Sequence, residues 1–275
     1  MNYRHAFHAG NISDVFKHAV LVLLVEHLLQ KDAAVCVIDT HAGQGRYDLT
    51  SEAADKTGEF RAGIGRLLAE AVPPALTRYA ALVQAAQPAP PALQIYPGSP
   101  ALLQALLRPH DRLILMELHP EDAAVLRREF RADARVHVHE RDGYAGLRAV
   151  VPPPERRGLV LIDPPYEAPD EMTVLVEALA AAWRRWPTGQ YALWYPIKER
   201  GAIERFHGAL ATAGLRKLLV AEFLPTRDQS LRGSGMILVN PPWRIEDRLG
   251  ALLAALGPAL GRPDATARID WLVPE

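Results

Sequence analysis

Val35-Cys-Val-Ile-Asp-Thr-His-Ala-Gly-Gln-Gly45 carries a short apolar run straight into a turn with two glycines one residue apart. β-Branched residues in such a run predict a buried strand of a parallel sheet, and the glycines predict a tight turn at its carboxyl end. Glycine there permits unusual backbone angles and close approach of a ligand to the main chain. Gly43-Gln-Gly45 taken alone fits a plain turn as well as a cofactor cradle. The dinucleotide fingerprint G-x-G-x-x-G is not completed, because Asp48 stands where the third glycine belongs. That counts against a nicotinamide oxidoreductase.

Upstream, Met1 to Gly10 is rich in histidines and aromatics and shows no period. Asn11 or Ser13 can then cap a helix, with Asp14 in its first turn and an apolar face from Val15 to Leu28. Downstream, residues 51–91 are Ala-rich, helical in period and punctuated by Pro88, Pro90 and Pro91, which reads as a small helical insertion. A strand-like Leu93–Tyr96 follows, and Pro97-Gly-Ser-Pro100 can cap a helix over 101–107. Strands are then predicted at 112–118, 135–139, 158–162, 190–194, 217–223 and 236–239, with helices at 121–131, 170–186 and 201–213. The alternation predicts an α/β fold, a seven-stranded mostly parallel sheet with helices on both faces. The last two strands form an antiparallel edge pair in this reading, and residues 268–274 could add a short final strand. The domain spans 1–50 and 92–275, interrupted by the inserted helices of 51–91.

Charge and cysteine content narrow the function. Lys and Arg number 31 against 32 Asp and Glu, a net charge of −1, which excludes coating nucleic acid by overall charge but not a local basic patch. Cys36 is the sole cysteine, so an internal disulfide and a cysteine-based zinc site are excluded, and no metal is expected. Ala19–Val25 is too short to span a bilayer and no small-residue cleavage pattern follows it. A cytoplasmic monomer without membrane partners is the expectation.

Ligands of open α/β sheets bind at the carboxyl ends of the strands. Those ends carry, in order, Asp39 to Gly45, Glu117, Asp142-Gly143 and Asp163-Pro-Pro-Tyr166. Glu117 is placed as an acid accepting from two ribose hydroxyls, although a helix cap would look the same. Asp142-Gly143 fits an acceptor for an adenine amine or a simple turn. Asp163-Pro164-Pro165-Tyr166 is more specific. Two prolines stiffen the chain and leave carbonyls without neighbouring N–H donors. The Asp163 carboxylate and a proline carbonyl, that of Pro164, can then accept from one –NH₂ group and aim its lone pair at an electrophile, while Tyr166 stacks on the ring. Such charged hydrogen bonds contribute about 1.5–3 kcal/mol each. Asn240-Pro-Pro-Trp243 has nearly the same form, but it closes the last strand, far from the glycine turn, and is read as an edge turn. In the N-terminal segment Tyr3, Arg4, His5, His8, Lys17 and His18 suit phosphate contacts and base stacking on RNA, or a solvated terminus.

At these residues the chain resembles a known family, the bacterial 23S ribosomal RNA (adenine-N6)-methyltransferases called ribosomal RNA large subunit methyltransferase J. The matching motifs include Tyr3-Arg-His, Phe7-His-Ala-Gly-Asn11, Lys17-His18, Asp39-Thr-His-Ala-Gly43, Tyr96-Pro-Gly-Ser-Pro100, Glu117-Leu-His-Pro120, Leu161-Ile-Asp-Pro-Pro-Tyr-Glu167 and Asn240-Pro-Pro-Trp243. The resemblance implies a Rossmann-like class I methyltransferase that uses S-adenosyl-L-methionine to methylate one adenosine of 23S ribosomal RNA. It implies cofactor contacts at His18, His41, Ser99, Glu117, Asp142, Gly143 and Asp163. Asp163 would be the catalytic proton acceptor, assisted by Pro164 and Tyr166, with solvent as the alternative acceptor. Tyr3 would touch the RNA, with His5 and Lys17 in support. His41 departs from the small residue usual in a methyltransferase glycine turn. Related turns also serve DNA adenine and protein glutamine methyltransferases; the glutamine enzymes usually carry Asn where Asp163 stands, and a DNA enzyme calls for a larger recognition domain than 51–91.

Overall fold

The run around Val37 lies at the centre of the sheet. The computed structural model describes residues 4–225 and 233–274. Strand β1, Cys36–Asp39, is buried along its whole length. It is preceded by helix α1, Ile12–Leu28, whose N-cap is Asn11: its side chain accepts from the Asp14 N–H at 2.9 Å. Strand β2, Arg46–Asp48, follows the glycine turn and pairs with β3, Ile95–Pro97, in a separate two-stranded sheet. Between them lie helices α2, Glu52–Thr57, α3, Glu59–Ala62, α4, Ile64–Leu68, and α5, Thr77–Ala85. The rest alternates: α6 (Ser99–Leu106), β4 (Arg112–Glu117), α7 (Pro120–Phe130), β5 (Val136–Glu140), α8 (Gly143–Val150), β6 (Gly158–Ile162), α9 (Glu171–Arg185), β7 (Gln190–Ile197) and α10 (Arg200–Thr212). The chain closes with β8 (Leu218–Leu224), β9 (Gly233–Val239), α11 (Ile245–Ala259) and β10 (Thr266–Val273).

The main sheet runs β10-β8-β9-β7-β6-β1-β4-β5, parallel from β5 through β7. β9 enters antiparallel between β7 and β8. Two expectations are corrected here. The sheet has eight strands, not seven, because β10 pairs antiparallel with β8. For the same reason β8 and β9 are not an edge pair. Helices α8 and α11 and strand β2 were not foreseen either; α8 spans only eight residues, two of them glycine.

Alternation along β1 divides the core. Val35 and Val37 face a cluster with α1, α6, α7, α11 and the 52–85 helices, whereas Cys36 and Ile38 face α8, α9 and α10. Helix α1 is buried nearly all round, because α6, α11 and residues of 64–83 cover the side that faces away from the sheet. No helix among the described residues is long and apolar enough to cross a membrane.

Candidate active site

A cavity of about 560 Å³ opens at the carboxyl ends of β1, β4, β5, β6 and β7. His5, Lys17, His18, His41, Ser99, Glu117, Asp142, Gly143, Asp163, Pro164 and Tyr166 all line it. The sequence placed His41, Glu117, Asp142, Gly143 and the Asp163–Tyr166 corner at strand ends, and the parallel sheet turns that series into one concave surface, to which α1 adds Lys17 and His18 and α6 adds Ser99. Tyr3 lies outside the described residues.

One half of the cavity is built on β1, β4 and β5. Glu117 ends β4, and its two oxygens accept from the Gly43 and His119 N–H groups, each at 2.8 Å. Burial pushes the Glu117 carboxyl up, and the two amides work against that push. The glycine turn therefore needs its geometry: Gly43 has φ +59°, and a Cβ there would meet the Tyr47 hydroxyl at 2.1 Å. Asp142 caps α8 by accepting from Ala145 N–H at 2.7 Å. Gly143 brings that helix end against β1; a Cβ on it would stand 2.2 Å from the Thr40 carbonyl oxygen. Asp39, fully buried at the end of β1, accepts from the Ser99 hydroxyl at 2.7 Å and the His41 N–H at 3.2 Å. Burial dominates over those bonds and lifts the Asp39 carboxyl to about 7. His41 is held at about 4 by burial. His18 is held at about 3 by burial and the neighbouring Lys17, and its Nδ1 meets the Tyr96 hydroxyl at 2.6 Å. Both imidazoles are neutral at pH 7.

The other half is the diproline corner at the end of β6. Tyr166 adopts φ +53°, a left-handed conformation that is rare for an aromatic residue and costs about 1–3 kcal/mol. Its hydroxyl donates to the Trp194 carbonyl at 2.5 Å, and its ring meets the Trp194 ring edge-on at 5.7 Å. The corner is thus strained and clamped against β7. Asp163 Oδ2 accepts from the Lys17 ammonium at 2.5 Å, and the same ammonium reaches Asp14 Oδ1 at 2.8 Å. Asp14 Oδ2 in turn meets His5 Nε2 at 3.0 Å and the Gly10 N–H at 2.9 Å. Burial alone would push Lys17 down, but Asp14 and Asp163 outweigh it and hold the ammonium above the ordinary lysine range. The sequence suggested Lys17 as an RNA contact; the fold buries it between two carboxylates.

Asn240 is absent from the cavity lining, for a topological reason. β9 runs antiparallel, so its carboxyl end emerges at the opposite edge of the sheet. There the Asn240 amide donates to the Pro187 and Gly189 carbonyls at 2.7 and 2.8 Å, a turn lock rather than a reaction centre.

Asp14, Tyr144, Glu171 and Trp194 also line the cavity and were not singled out as site residues. Tyr144 donates to Glu171 at 2.6 Å and packs edge-on to His41, fastening α8 to α9 beside the corner. Asp14 and Lys17, three apart on one helix, were a signal available in the sequence; the two aromatics were not, since a lone Tyr or Trp near a strand end is ordinary core.

The donor set fits S-adenosyl-L-methionine, the cofactor the resemblance implies. Glu117 and Asp142 at successive strand ends offer carboxylates to a nucleoside, and an anionic lining suits a cationic sulfonium. Comparisons with known proteins point the same way. The family model described as "Ribosomal RNA large subunit methyltransferase D, RlmJ" matches residues 32–273. Proteins named ribosomal RNA large subunit methyltransferase J are similar over the whole of both chains: 44% identical in Escherichia coli strain K12 and 41% in Haemophilus influenzae. A crystal structure of a Legionella pneumophila protein superposes with a TM-score of 0.89 at 30% identity, covering 96% of this chain and 98% of that one. The fold is that of a Rossmann-like class I methyltransferase, and the chain belongs to the ribosomal RNA large subunit methyltransferase J family.

Proposed function

We propose that the chain transfers a methyl group from S-adenosyl-L-methionine to the exocyclic amine, N6, of one adenosine in 23S ribosomal RNA. The observation that carries this reading is the strained Asp163-Pro164-Pro165-Tyr166 corner, open to the same cavity as Glu117 and Asp142. The bound cofactor supplies an already activated methyl on a sulfonium. Positioning is then most of what the protein contributes, and fixed attack geometry is worth up to about 7–11 kcal/mol in ideal cases. Lys17 occupies Asp163 Oδ2, and Oδ1 has no partner among the described residues, so Oδ1 takes one amine N–H while the Pro164 carbonyl takes the other. Tyr166, held by the Trp194 carbonyl, offers its ring face to the base. The proton shed by the alkylated amine passes to Asp163.

The target base leaves its stack to reach this corner, at a cost of a few kcal/mol that is smaller where the RNA is unpaired. Unpaired, protein-free RNA is therefore the proposed substrate form. Tyr3 contacts the RNA, supported by His5, which lines the cavity. His18, His41, Ser99, Glu117, Asp142 and Gly143 hold the cofactor. The working protein is a cytoplasmic monomer, with 51–91 inserted into a domain made of 1–50 and 92–275.

The test is methyl transfer from labelled cofactor to protein-free 23S RNA, assembled large subunits, duplex DNA and a glutamine-bearing release factor in parallel. Label on an adenosine of free RNA is the expected outcome. Label on DNA or protein and none on RNA overturns the substrate.

A further inference from the structure

Eight carboxylate side chains line the cavity against two lysines. Lys17 is buried and engaged by Asp14 and Asp163. Arg4, just outside, is occupied by Glu121 and Asp122. His18 and His41 are neutral because burial holds both low, and His8, which Glu59 pushes up, is engaged by that carboxylate at 2.9 Å. A polyanion approaching this surface is repelled over most of it, so a neutral base can pass inward while its phosphates cannot follow. A cation at the mouth is required to hold the backbone there.

Lys198 meets that requirement. It is exposed, lines the cavity and has no ion-pair or hydrogen-bond partner among the described residues. It stands just beyond β7, in register with Trp194 and Pro196, and all three alternate positions face the cavity. Trp194 touches Tyr166, so the inner end of this row is the diproline corner. At about 3.3 Å per residue the row reaches roughly 13 Å outward from Trp194 to Lys198. That is the direction in which the sugar and phosphate of a base held at the corner must leave.

We propose that Lys198 binds a phosphate of the RNA strand beside the nucleotide whose base enters the cavity. This rests on the RNA methyl-transfer reading above. A compact ammonium on a flexible stem contacts phosphate as a point charge and carries no sequence information, so it affects capture of the strand and not the chemistry at N6.

The experiment measures initial rates on protein-free 23S RNA for the natural chain, Lys198→Glu and Lys198→Arg, with cofactor affinity measured separately by calorimetry. Lys198→Glu should raise KM for RNA while kcat and cofactor affinity hold, and Lys198→Arg should restore KM. One lost phosphate contact lowers the log–log salt slope by about 0.7–0.9, so a fourfold rise in salt should weaken the natural chain about threefold more than Lys198→Glu. An active natural chain with the same KM and salt slope in Lys198→Glu overturns the Lys198 assignment alone. A natural chain that binds cofactor but leaves RNA unmodified overturns the RNA reading and this inference with it.

Discussion

Lys17 Nζ lies 2.5 Å from Asp163 Oδ2, so a buried ammonium on helix α1 is bonded to the diproline corner at the end of β6. The pair explains why α1 carries charge at all along a face otherwise given to the core. With Asp14 it forms a buried triad in which each charge depends on the others.

Removing the ammonium strands two buried carboxylates. Breaking a buried pair costs about 3–5 kcal/mol, so Lys17→Met should lower the unfolding free energy by that order. Denaturant unfolding checks it, with turnover measured on the folded fraction. A loss below about 1 kcal/mol, the range of a surface pair, would show that the triad is not buried in solution.

Asp163→Ala removes the proposed acceptor for the amine but leaves Glu117, Asp142 and Asp39 in place. Cofactor binding should remain measurable by calorimetry, and kcat should drop by at least about 10²-fold, as for other positioned acid–base groups. Near-normal turnover would remove Asp163 from the chemistry.

His18 and His41, with Asp39, contribute to the acid limb of stability. Burial, with Lys17 for His18, holds His18 at about 3 and His41 at about 4, against 6.5 in the unfolded chain. Burial lifts Asp39 to about 7 against 3.8 unfolded. Around pH 5 the unfolded chain carries two imidazole protons that the folded chain refuses, while the folded chain carries one on Asp39 that the unfolded carboxylate has released. The unfolded state holds the excess proton, so as the pH falls through 5 these three groups lower stability with a limiting slope of about 1.4 kcal/mol per pH unit, whereas near pH 7 they nearly cancel. Chemical denaturation at pH 5.5 and pH 4.5 measures the slope, and His41→Gln should flatten it.

Asn240→Ala separates the two diproline turns. It deletes donors to the Pro187 and Gly189 carbonyls and should cost about 1–3 kcal/mol of stability. Methyl transfer by the folded fraction should be unchanged. A turnover loss like that of Asp163→Ala would return Asn240 to the site.

Much of this molecule was legible from its sequence. The apolar run 35–38 and its glycine turn located the central strand, and the carboxylates closing later strands located the site, because parallel strands present all their carboxyl ends on one edge. Both follow from local composition and chain order. What composition could not reveal was direction and depth. Asn240-Pro-Pro-Trp243 and Asp163-Pro-Pro-Tyr166 look alike in a string of letters; the reversal of β9 sends one to the far edge. Lys17 resembles any helix cation until the fold encloses α1 and closes it between Asp14 and Asp163. Short-range propensity is written residue by residue, whereas the reversal of β9 depends on its pairing with the separate strands β7 and β8, and the burial of Lys17 depends on Asp163, 146 residues away, and only the assembled tertiary structure brings those together.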